Sequence, residues 1–365
     1  MNTSPRRYKS LFLPPLIILL IFLSSCGSGI SSLDISMEEL KEGIKLGLDK
    51  ELRSPQGLLY TSTKDKSFLS ETIGLEMIWR LLENNKEKFD FQFSLLKQYF
   101  ISPTNLLYWK ITEDFQKLKA NATIDDLRVC KALILAYKNW GDTAYIDVAK
   151  QIGKALLDYC TYQDILLDGV SWESGGFWGG IAISQETKSI TLSYSDFEAM
   201  FLLREINPNW LKVVQRTLGI VLVGALLRES DVYWGYNISD GSYNDNGKNL
   251  INKLLHLLHL ASVGSVPIDH VRRLSSKLYT EGGLFDYSGN ENIAVYSLAA
   301  LLFHQSGFYS EAELALDKLK NFRLENGLLG YPSNNIEGEA WAFDNLLALI
   351  AIETILQDKG KIEER

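Results

Sequence analysis

Apolar residues recur at helical spacing along most of this chain, and few stretches show the alternation of period two that is typical of strands. The spacing predicts twelve helical segments, which are 36–52, 70–84, 87–100, 123–139, 142–158, 194–205, 208–227, 248–263, 267–279, 291–306, 309–319 and 337–357. We therefore expect an all-α protein in which any sheet is small.

The connections between these segments alternate in length. Short connections, such as 84–86 and 139–142, are expected to close antiparallel helix hairpins. Long connections precede the segments that begin near Ser70, Thr123, Tyr194, Lys248, Glu291 and Glu337. Six hairpins that each bury a face against the next predict a closed (α/α)6 barrel, a six-hairpin toroid with all six long loops at one end. A linear α-solenoid is the alternative, but it would need a regular repeat length, and the loops are irregular.

The long loops are rich in glycine and aromatic residues, as in GGFWGG (175–180), YWGY (233–236) and GLFDY (283–287). Aromatic faces can stack on the apolar C–H faces of pyranose rings, while the sugar hydroxyls need polar partners. The long-loop end of the barrel is therefore predicted to bind carbohydrate. The alternative is that these aromatic residues only fill the end of the barrel.

Acidic residues lie at the predicted starts of the helices that follow the long loops, namely Glu71, Asp125 with Asp126, Asp196, Asp245, Glu291 and Glu339. A single acid at a helix start is usually a cap or a partner of the helix dipole. Six helix starts with acids around one cleft could supply the pair of carboxyl groups that glycoside hydrolysis needs, which lie ~6.5–9.5 Å apart in an inverting enzyme.

Three segments resemble glycoside hydrolase family 8. SETIGLEM (70–77) resembles the family's Ser-Glu-Gly-x-Gly-Tyr-Gly-Met segment, and ATIDDLRVCKALILAYKNWGD (122–142) resembles its Ala-Thr-Asp-x-Asp helix. LSYSDFEAM (192–200) is similar to its Asn-Pro-Ser-Tyr helix start, and the resemblance spans about residues 55–355 in the right order. It implies an (α/α)6 barrel that acts on β-linked glucans, chitosan or xylan, with inversion and without a cofactor.

The resemblance also implies roles for residues of the first two motifs. Glu71 matches the family's general acid. Asp126 matches the second aspartate of the Ala-Thr-Asp-x-Asp motif, whereas Ile124 replaces the first aspartate and Asp125 lies between them.

The family's general base lies in a Tyr-Asp-x-x-Arg-x-Pro stretch, whose nearest match here is SYNDNGKN (242–249). This alignment places Asn244 at the base, and an amide cannot accept a proton at neutral pH. A shift of one residue makes Asp245 the expected base, with Asp126 and Asp196 as alternatives. We expect the sugar to contact Asp125, Tyr194, Asp196, Trp178, Tyr243, Trp234 and Tyr287.

Two functional hypotheses follow. The first is an inverting endo-β-glycosidase that acts in exopolysaccharide production or processing. The second is a catalytically impaired protein that binds polysaccharide and assists the exopolysaccharide synthesis or export machinery. Ile124 in place of an aspartate and Asn244 at the position of the base favour this second hypothesis.

The N-terminus has the features of a bacterial lipoprotein signal peptide. Arg6, Arg7 and Lys9 precede an apolar stretch, residues 11–23, that is too short to span a membrane. The sequence Leu-Ser-Ser-Cys that ends at Cys26 resembles a lipobox, so we expect residues 1–25 to be removed and Cys26 to carry lipid. Residues 26–34 would form a flexible tether, and 35–365 a single domain held on the extracytoplasmic face of the cell membrane.

Charge and cysteine content narrow the remaining classes of function. The net charge is −8, which disfavours nucleic acid as a partner because that binding depends on neutralising phosphates. Cys130 and Cys160 have no histidine at ligand spacing, so no metal site is expected and buried free thiols are favoured over a disulfide. His256 and His259 are expected to be packing residues. No cofactor is expected.

Overall fold

The computed structural model describes residues 35–174, 181–185, 188–331 and 338–363. The signal peptide, the lipobox cysteine Cys26, the tether and Trp178 lie outside the described residues. Those predictions are therefore not addressed by the fold.

The described residues form twelve α-helices. They are α1 (Met37–Gly47), α2 (Ser70–Leu82), α3 (Lys86–Leu95), α4 (Thr123–Trp140), α5 (Thr143–Tyr159), α6 (Phe197–Ile206), α7 (Trp210–Leu226), α8 (Leu250–Ala261), α9 (Ile268–Thr280), α10 (Ile293–Gln305), α11 (Tyr309–Lys318) and α12 (Ala342–Glu363). The twelve predicted helices are confirmed, and the largest change of a helix start is at α12, which begins five residues later than its pattern suggested.

Strands are short and lie between the helices, as the lack of period-two alternation indicated. They are β1 (Phe68–Leu69), β2 (Lys110–Ile111), β3 (Thr161–Tyr162), β4 (Ile165–Leu166), β5 (Ser171–Ser174), β6 (Ile181–Ser184), β7 (Ser189–Thr191), β8 (Gly235–Asn237) and β9 (Ser242–Asn244). They pair antiparallel as β1–β2, β3–β4, β5–β6 and β7–β8–β9.

The even-numbered helices form a closed inner ring. Each packs against the next in the order α2, α4, α6, α8, α10, α12, and α12 packs back against α2. The odd-numbered helices lie outside, and α3, α5, α7 and α11 each pack against the helix that precedes them. This arrangement confirms the (α/α)6 barrel and is incompatible with an open solenoid.

Helices of the inner and the outer ring can bury different shares of their surface, because an inner helix is covered on more sides than an outer one. Every residue of α10 from Ile293 to Ala300 is buried, since the barrel interior and the outer helices cover it from all sides. The outer helix α9 buries one stripe only, formed by His270, Val271, Leu274 and Leu278, and exposes the rest. The burial of these two helices therefore matches their places in the inner and the outer ring.

Extended segments join the first and last hairpins and complete the ring. Ser62 pairs with Trp341 in an antiparallel bridge, and the Ala342 amide donates to the Thr61 carbonyl at 3.0 Å. At the other end of α12, the Gln357 side chain donates to the Leu82 carbonyl at 2.7 Å. The chain thus closes through backbone pairing as well as through apolar packing.

Two smaller predictions are also confirmed. Cys130 and Cys160 are buried free cysteines. His256 and His259 are buried, and burial lowers the pKa of each to about 4.

None of the helices among the described residues is long and apolar enough to cross a membrane.

A buried ion-pair network fixes the middle of α2. Glu76 is almost fully buried and accepts hydrogen bonds from Arg53 at 2.8 Å and Arg80 at 3.1 Å. On the opposite side of Arg53, Asp49 forms an ion pair of 2.8 Å that is largely exposed.

We expect Glu76→Ala to lower the free energy of unfolding by about 3–5 kcal/mol, because the substitution leaves buried arginine charge without its partner. Asp49→Ala is the matched control, since it removes an exposed partner of the same Arg53 and should cost less than about 1 kcal/mol. Chemical denaturation followed by circular dichroism measures both, and equal losses would contradict the assignment.

Candidate active site

Glu71 lies in the first turn of α2, at the end of the barrel formed by the long loops. Leu69 in β1 pairs with Lys110 in β2, and the Ser70 amide donates to the Trp109 carbonyl at 3.0 Å. The chain is therefore held extended up to Leu69 and turns into the helix at Ser70. This turn places Glu71 at the mouth of the inner ring.

Glu71 separates two cavities. One has a volume of about 270 Å³ and the other about 250 Å³, and both are lined by Leu69, Glu71 and Phe343. The first cavity is also lined by Thr61, Thr72, Asn292, Tyr331, Trp341 and Asp344. The second is also lined by Trp109, Ala122, Ile124, Asp125, Arg128, Tyr194, Ile251, Asn252 and Leu255.

The lining residues come from all six inner helices or from the segments that lead into them. Glu71, Asp125 and Asp344 lie in the first turns of α2, α4 and α12, and Asn292 caps α10. Segments distant in the sequence thus meet at a common mouth, which we call the Glu71 cleft (the two cavities together).

Burial dominates the electrostatics of Glu71. Its pKa is raised to about 7, first by removal from water, then by the negative charge of Asp125 and to a smaller degree of Asp344, while Arg128 acts in the opposite direction. The Glu71 carboxyl forms no hydrogen bond to any described residue, so it is free to bind a ligand. At slightly acid pH it carries a proton that it can donate.

Asp125 is fixed by hydrogen bonds to both of its oxygens. Ser70 donates its hydroxyl to Oδ2 at 2.7 Å, and Arg128 donates to Oδ1 at 2.8 Å. Since Ser70 precedes Glu71 in the chain, Asp125 links the starts of α2 and α4. The negative charge of its carboxylate helps to raise the pKa of Glu71.

Asp344 is the third carboxyl group of the Glu71 cleft, and the sequence analysis missed it. It is buried, and Tyr331 donates its hydroxyl to Oδ2 at 3.1 Å. Burial raises the pKa of Asp344 to about 6, while the hydrogen bond from Tyr331 acts to lower it. At neutral pH this group is ionised while Glu71 still holds much of its proton.

The predicted helix start at residue 337 placed Glu339, and not Asp344, in the first turn of the last helix. Residues 339–341 are extended, and Glu339 accepts a hydrogen bond from Ser62 at 2.9 Å. Buried Ala340 lies between the partly exposed Glu339 and Trp341, but the sequence is apolar from Ala340 to Phe343 and so gives no period-two signal for this extended segment.

Asp126 lies outside the Glu71 cleft. It is 0% exposed, and its oxygens accept hydrogen bonds from the Leu107 amide at 2.9 Å and the Asn121 side chain at 2.8 Å. Burial raises its pKa to about 8. These contacts indicate that Asp126 holds the loop before α4 in place.

The structure does not bring Asp245 or Asp196 to the Glu71 cleft. Asp245 forms an ion pair with Arg228 at 2.6 Å and lines neither cavity. Asp196 caps α6, where it accepts a hydrogen bond from the Ala199 amide at 3.0 Å. Asp196 therefore has the usual role of an acid at a helix start, whereas α8 is capped by Asn249 and not by Asp245.

The predicted aromatic contacts are only partly brought to the cleft. Tyr194 lines it, whereas Trp234 lines a separate cavity of about 400 Å³ together with Asn244. Tyr243 donates its hydroxyl to the Ile220 carbonyl at 2.8 Å, and Tyr287 donates to Asp231. Trp178 lies outside the described residues.

Two tryptophans that the sequence analysis did not select flank Glu71. Trp109 lines one cavity and Trp341 the other, and they are 36% and 37% exposed. Each follows a loop that pairs with a neighbouring segment, so no helical periodicity marks them.

Among the described residues, no three His, Cys, Asp or Glu side chains converge in a way that could hold a metal ion.

We expect Asp125→Asn to lower the pKa of Glu71 from about 7, because the substitution removes a negative charge and leaves the positive charge of Arg128 unopposed. Titration by ¹³C NMR of protein labelled at glutamate side chains measures the shift, and the Glu71→Gln spectrum identifies the resonance. Asp147→Asn on the exposed face of α5 is the control. An unchanged Glu71 pKa in Asp125→Asn would refute this electrostatic coupling.

Comparison with known proteins gives relatives in sequence and in structure. No protein-family model matches the chain. The chain is 29% identical over 316 residues to a Bacillus subtilis (strain 168) protein named "Putative lipoprotein YdaJ", with 82% of this chain and 83% of that protein covered.

Two solved structures cover nearly the whole barrel. One is described as a novel alpha-amylase from Clostridium perfringens, with a TM-score of 0.77, 25% identity, and 88% of this chain and 98% of that chain covered. The other is endoglucanase Cel10, a family 8 glycosyl hydrolase from Klebsiella pneumoniae, with a TM-score of 0.61, 14% identity, and 87% of this chain and 99% of that chain covered. The chain therefore has the (α/α)6 fold of the family 8 glycoside hydrolases.

Proposed function

We propose that this protein is a glycoside hydrolase that cleaves a polysaccharide bound in the Glu71 cleft, with Glu71 as the general acid. The observation that carries this proposal is a partly buried carboxyl with a pKa of about 7, situated between two cavities and free of hydrogen bonds to described residues. Two cavities on either side of one acid suit an internal bond of a chain, because sugar units can occupy both sides. We therefore favour endo-cleavage.

The cleft supplies the other features that glycoside hydrolysis needs. A protonated carboxyl near neutral pH can transfer its proton to the leaving oxygen as the glycosidic bond breaks. Trp109 and Trp341 offer flat faces on which sugar rings can stack. The negative charge of Asp125 helps to keep this proton on Glu71 near neutral pH.

Charge narrows the class of polysaccharide. The cleft carries the carboxyl groups Glu71, Asp125 and Asp344, and its cation, Arg128, is paired with Asp125. An acidic uronate polymer would be repelled by these groups. We therefore propose a neutral or amino-bearing polysaccharide, and the family resemblance favours β-linkages in an exopolysaccharide.

Binding without cleavage is the second candidate. Ile124 lines the cleft where the family motif has an aspartate, and Asp245 lies outside it. A protein with this cleft could hold a polysaccharide during its synthesis or export. Tight binding with no reducing ends released would favour this function.

We also propose that lipid on Cys26 anchors the barrel to the extracytoplasmic face of the cell membrane. The lipobox sequence and the sequence likeness to a protein named as a lipoprotein support this proposal. The polysaccharide would then meet the cleft outside the cytoplasm, close to the exopolysaccharide synthesis or export machinery.

We expect the purified protein to release reducing ends from at least one neutral or amino-bearing polysaccharide, and Glu71→Gln to lower kcat by about 10²–10⁴-fold, because the amide cannot donate the proton. A panel of β-glucan, xylan, chitosan and starch covers both anomeric linkages. Activity of the wild type should fall as the pH rises through about 7, where Glu71 loses its proton.

Glu87→Gln is the matched control for this experiment. Glu87 lies in the first turn of α3, the outer helix of the same hairpin, and is exposed. Its substitution should leave kcat unchanged. Cleavage at the wild-type rate by Glu71→Gln would refute the proposed acid.

We expect Cys26→Ser to move the full-length protein from the detergent phase to the aqueous phase in a detergent-partition experiment, because the lipid-bearing thiol is lost. Ser28→Ala, two residues away in the tether, should leave the protein in the detergent phase. Retention of Cys26→Ser with the membrane would contradict the lipid anchor.

A further inference from the structure

We propose that Asp344 is the general base of the reaction and that Tyr331 is the residue that positions it. This assignment rests on the proposed glycosidase function. The nearest match to the family's base motif contains Asn244 and Asp245, and both residues lie outside the Glu71 cleft. Asp344 would therefore replace the base that the motif led us to expect.

Asp344 and Glu71 line the same cavity from neighbouring inner helices. Asp344 lies in the first turn of α12 and Glu71 in the first turn of α2, and these two helices pack directly together. The cavity of about 270 Å³ exceeds by far the ~30 Å³ that a water molecule occupies in the liquid. It therefore has room for a water molecule beside a sugar ring.

A chain of hydrogen bonds holds Asp344 in one orientation. The Ile293 amide donates to the Tyr331 hydroxyl oxygen at 3.2 Å, and the Tyr331 hydroxyl donates to Asp344 Oδ2 at 3.1 Å. Because the tyrosine oxygen already accepts from an amide, its proton is directed to the carboxylate. Asp344 Oδ1 accepts no hydrogen bond from any described residue, so it is available to a water molecule.

The electrostatics of the cavity support the same assignment. The titratable groups that face Asp344 are Glu71 from α2 and Tyr331 from the loop before α12, and Asp286 lies near Tyr331. The described residues that line this cavity include no lysine, arginine or histidine. Burial raises the pKa of Asp344 to about 6 and that of Glu71 to about 7, so between these values one group is ionised while the other is protonated.

The other acids near the cleft are engaged elsewhere. Both oxygens of Asp125 accept hydrogen bonds, and Asp126 is sealed from the cavity. Asp168 is bound through both oxygens by Thr191 and lines the separate cavity that contains Trp234. Asp344 is the described carboxylate that combines a free oxygen with a place beside Glu71.

The proposed step balances without any further reactant. Asp344 removes a proton from water as the water oxygen bonds to the anomeric carbon. The bond from that carbon to the glycosidic oxygen breaks, and the leaving oxygen takes the proton of Glu71. The products are a sugar with inverted anomeric configuration and a free hydroxyl, and proton exchange with solvent restores both carboxyl groups.

The test compares Asp344→Asn with the wild type on the polysaccharide that the wild type cleaves. We expect kcat to fall by about 10²–10⁴-fold with little change in KM, because the substrate still binds but water is no longer activated. Asp269→Asn, in the first turn of the outer helix α9, is the matched control and should leave kcat unchanged. Circular dichroism and thermal melting establish that the variants are folded.

Two further measurements separate a base from a structural residue. Azide needs no proton removed, so it should restore turnover to Asp344→Ala and yield a glycosyl azide, but it should not restore Glu71→Gln. Tyr331→Phe should retain most of kcat and move the acid limb of the pH profile to higher pH, because Asp344 loses a hydrogen bond that lowers its pKa.

The outcomes distinguish this assignment from the function on which it rests. Wild-type kcat in Asp344→Asn, together with an inactive Glu71→Gln, would overturn Asp344 as the base and leave the glycosidase function standing. Retention of anomeric configuration in the first product, seen by ¹H NMR, would do the same, as would loss of activity in Asp245→Asn but not in Asp344→Asn. Absence of cleavage by the wild type would overturn both proposals.

Discussion

The packing of α12 against α2 is the contact on which the rest of the structure depends. It joins the last helix to the first inner helix and so converts a row of hairpins into a ring. The bridge from Ser62 to Trp341 and the hydrogen bond from Gln357 to Leu82 hold the two ends of this seam. Without closure, Glu71 and Asp344 would lie at opposite ends of the protein, although they line one cavity in the ring.

Closure also determines the charge balance of the cleft. The inner helices begin at the same end of the barrel, so acids in their first turns are brought together in a partly water-excluded space. Helix N-termini favour negative charge, but burial and mutual repulsion oppose it. The barrel accommodates this conflict by pairing Asp125 with Arg128 and by leaving Glu71 with a raised pKa. Because of this raised pKa, Glu71 still holds part of its proton near neutral pH.

At two positions where the family 8 motifs have an aspartate this chain has another residue, and the two positions lie in different places. Ile124 lines the Glu71 cleft, whereas Asn244 lines the separate cavity near Trp234. A barrel of this kind offers six helix starts around one mouth, so a lost acid on one start can be replaced by an acid on another. The proposal for Asp344 is an instance of that exchange, in which the first turn of α12 supplies the base that the family motif has before α8.

The sequence by itself determined the twelve helices, the hairpin order and the place of Glu71, because helical periodicity and loop length are local properties that survive in any packing. It could not decide which acids reach the cleft. Asp126 and Asp125 are adjacent in the chain, yet one is sealed behind the loop at Leu107 and the other faces Glu71, since successive helical residues point about 100° apart. Asp344 emerged only from the tertiary structure, because pairing of residues 339–341 with the first loop delays the start of α12 and thereby sets which acid occupies its first turn.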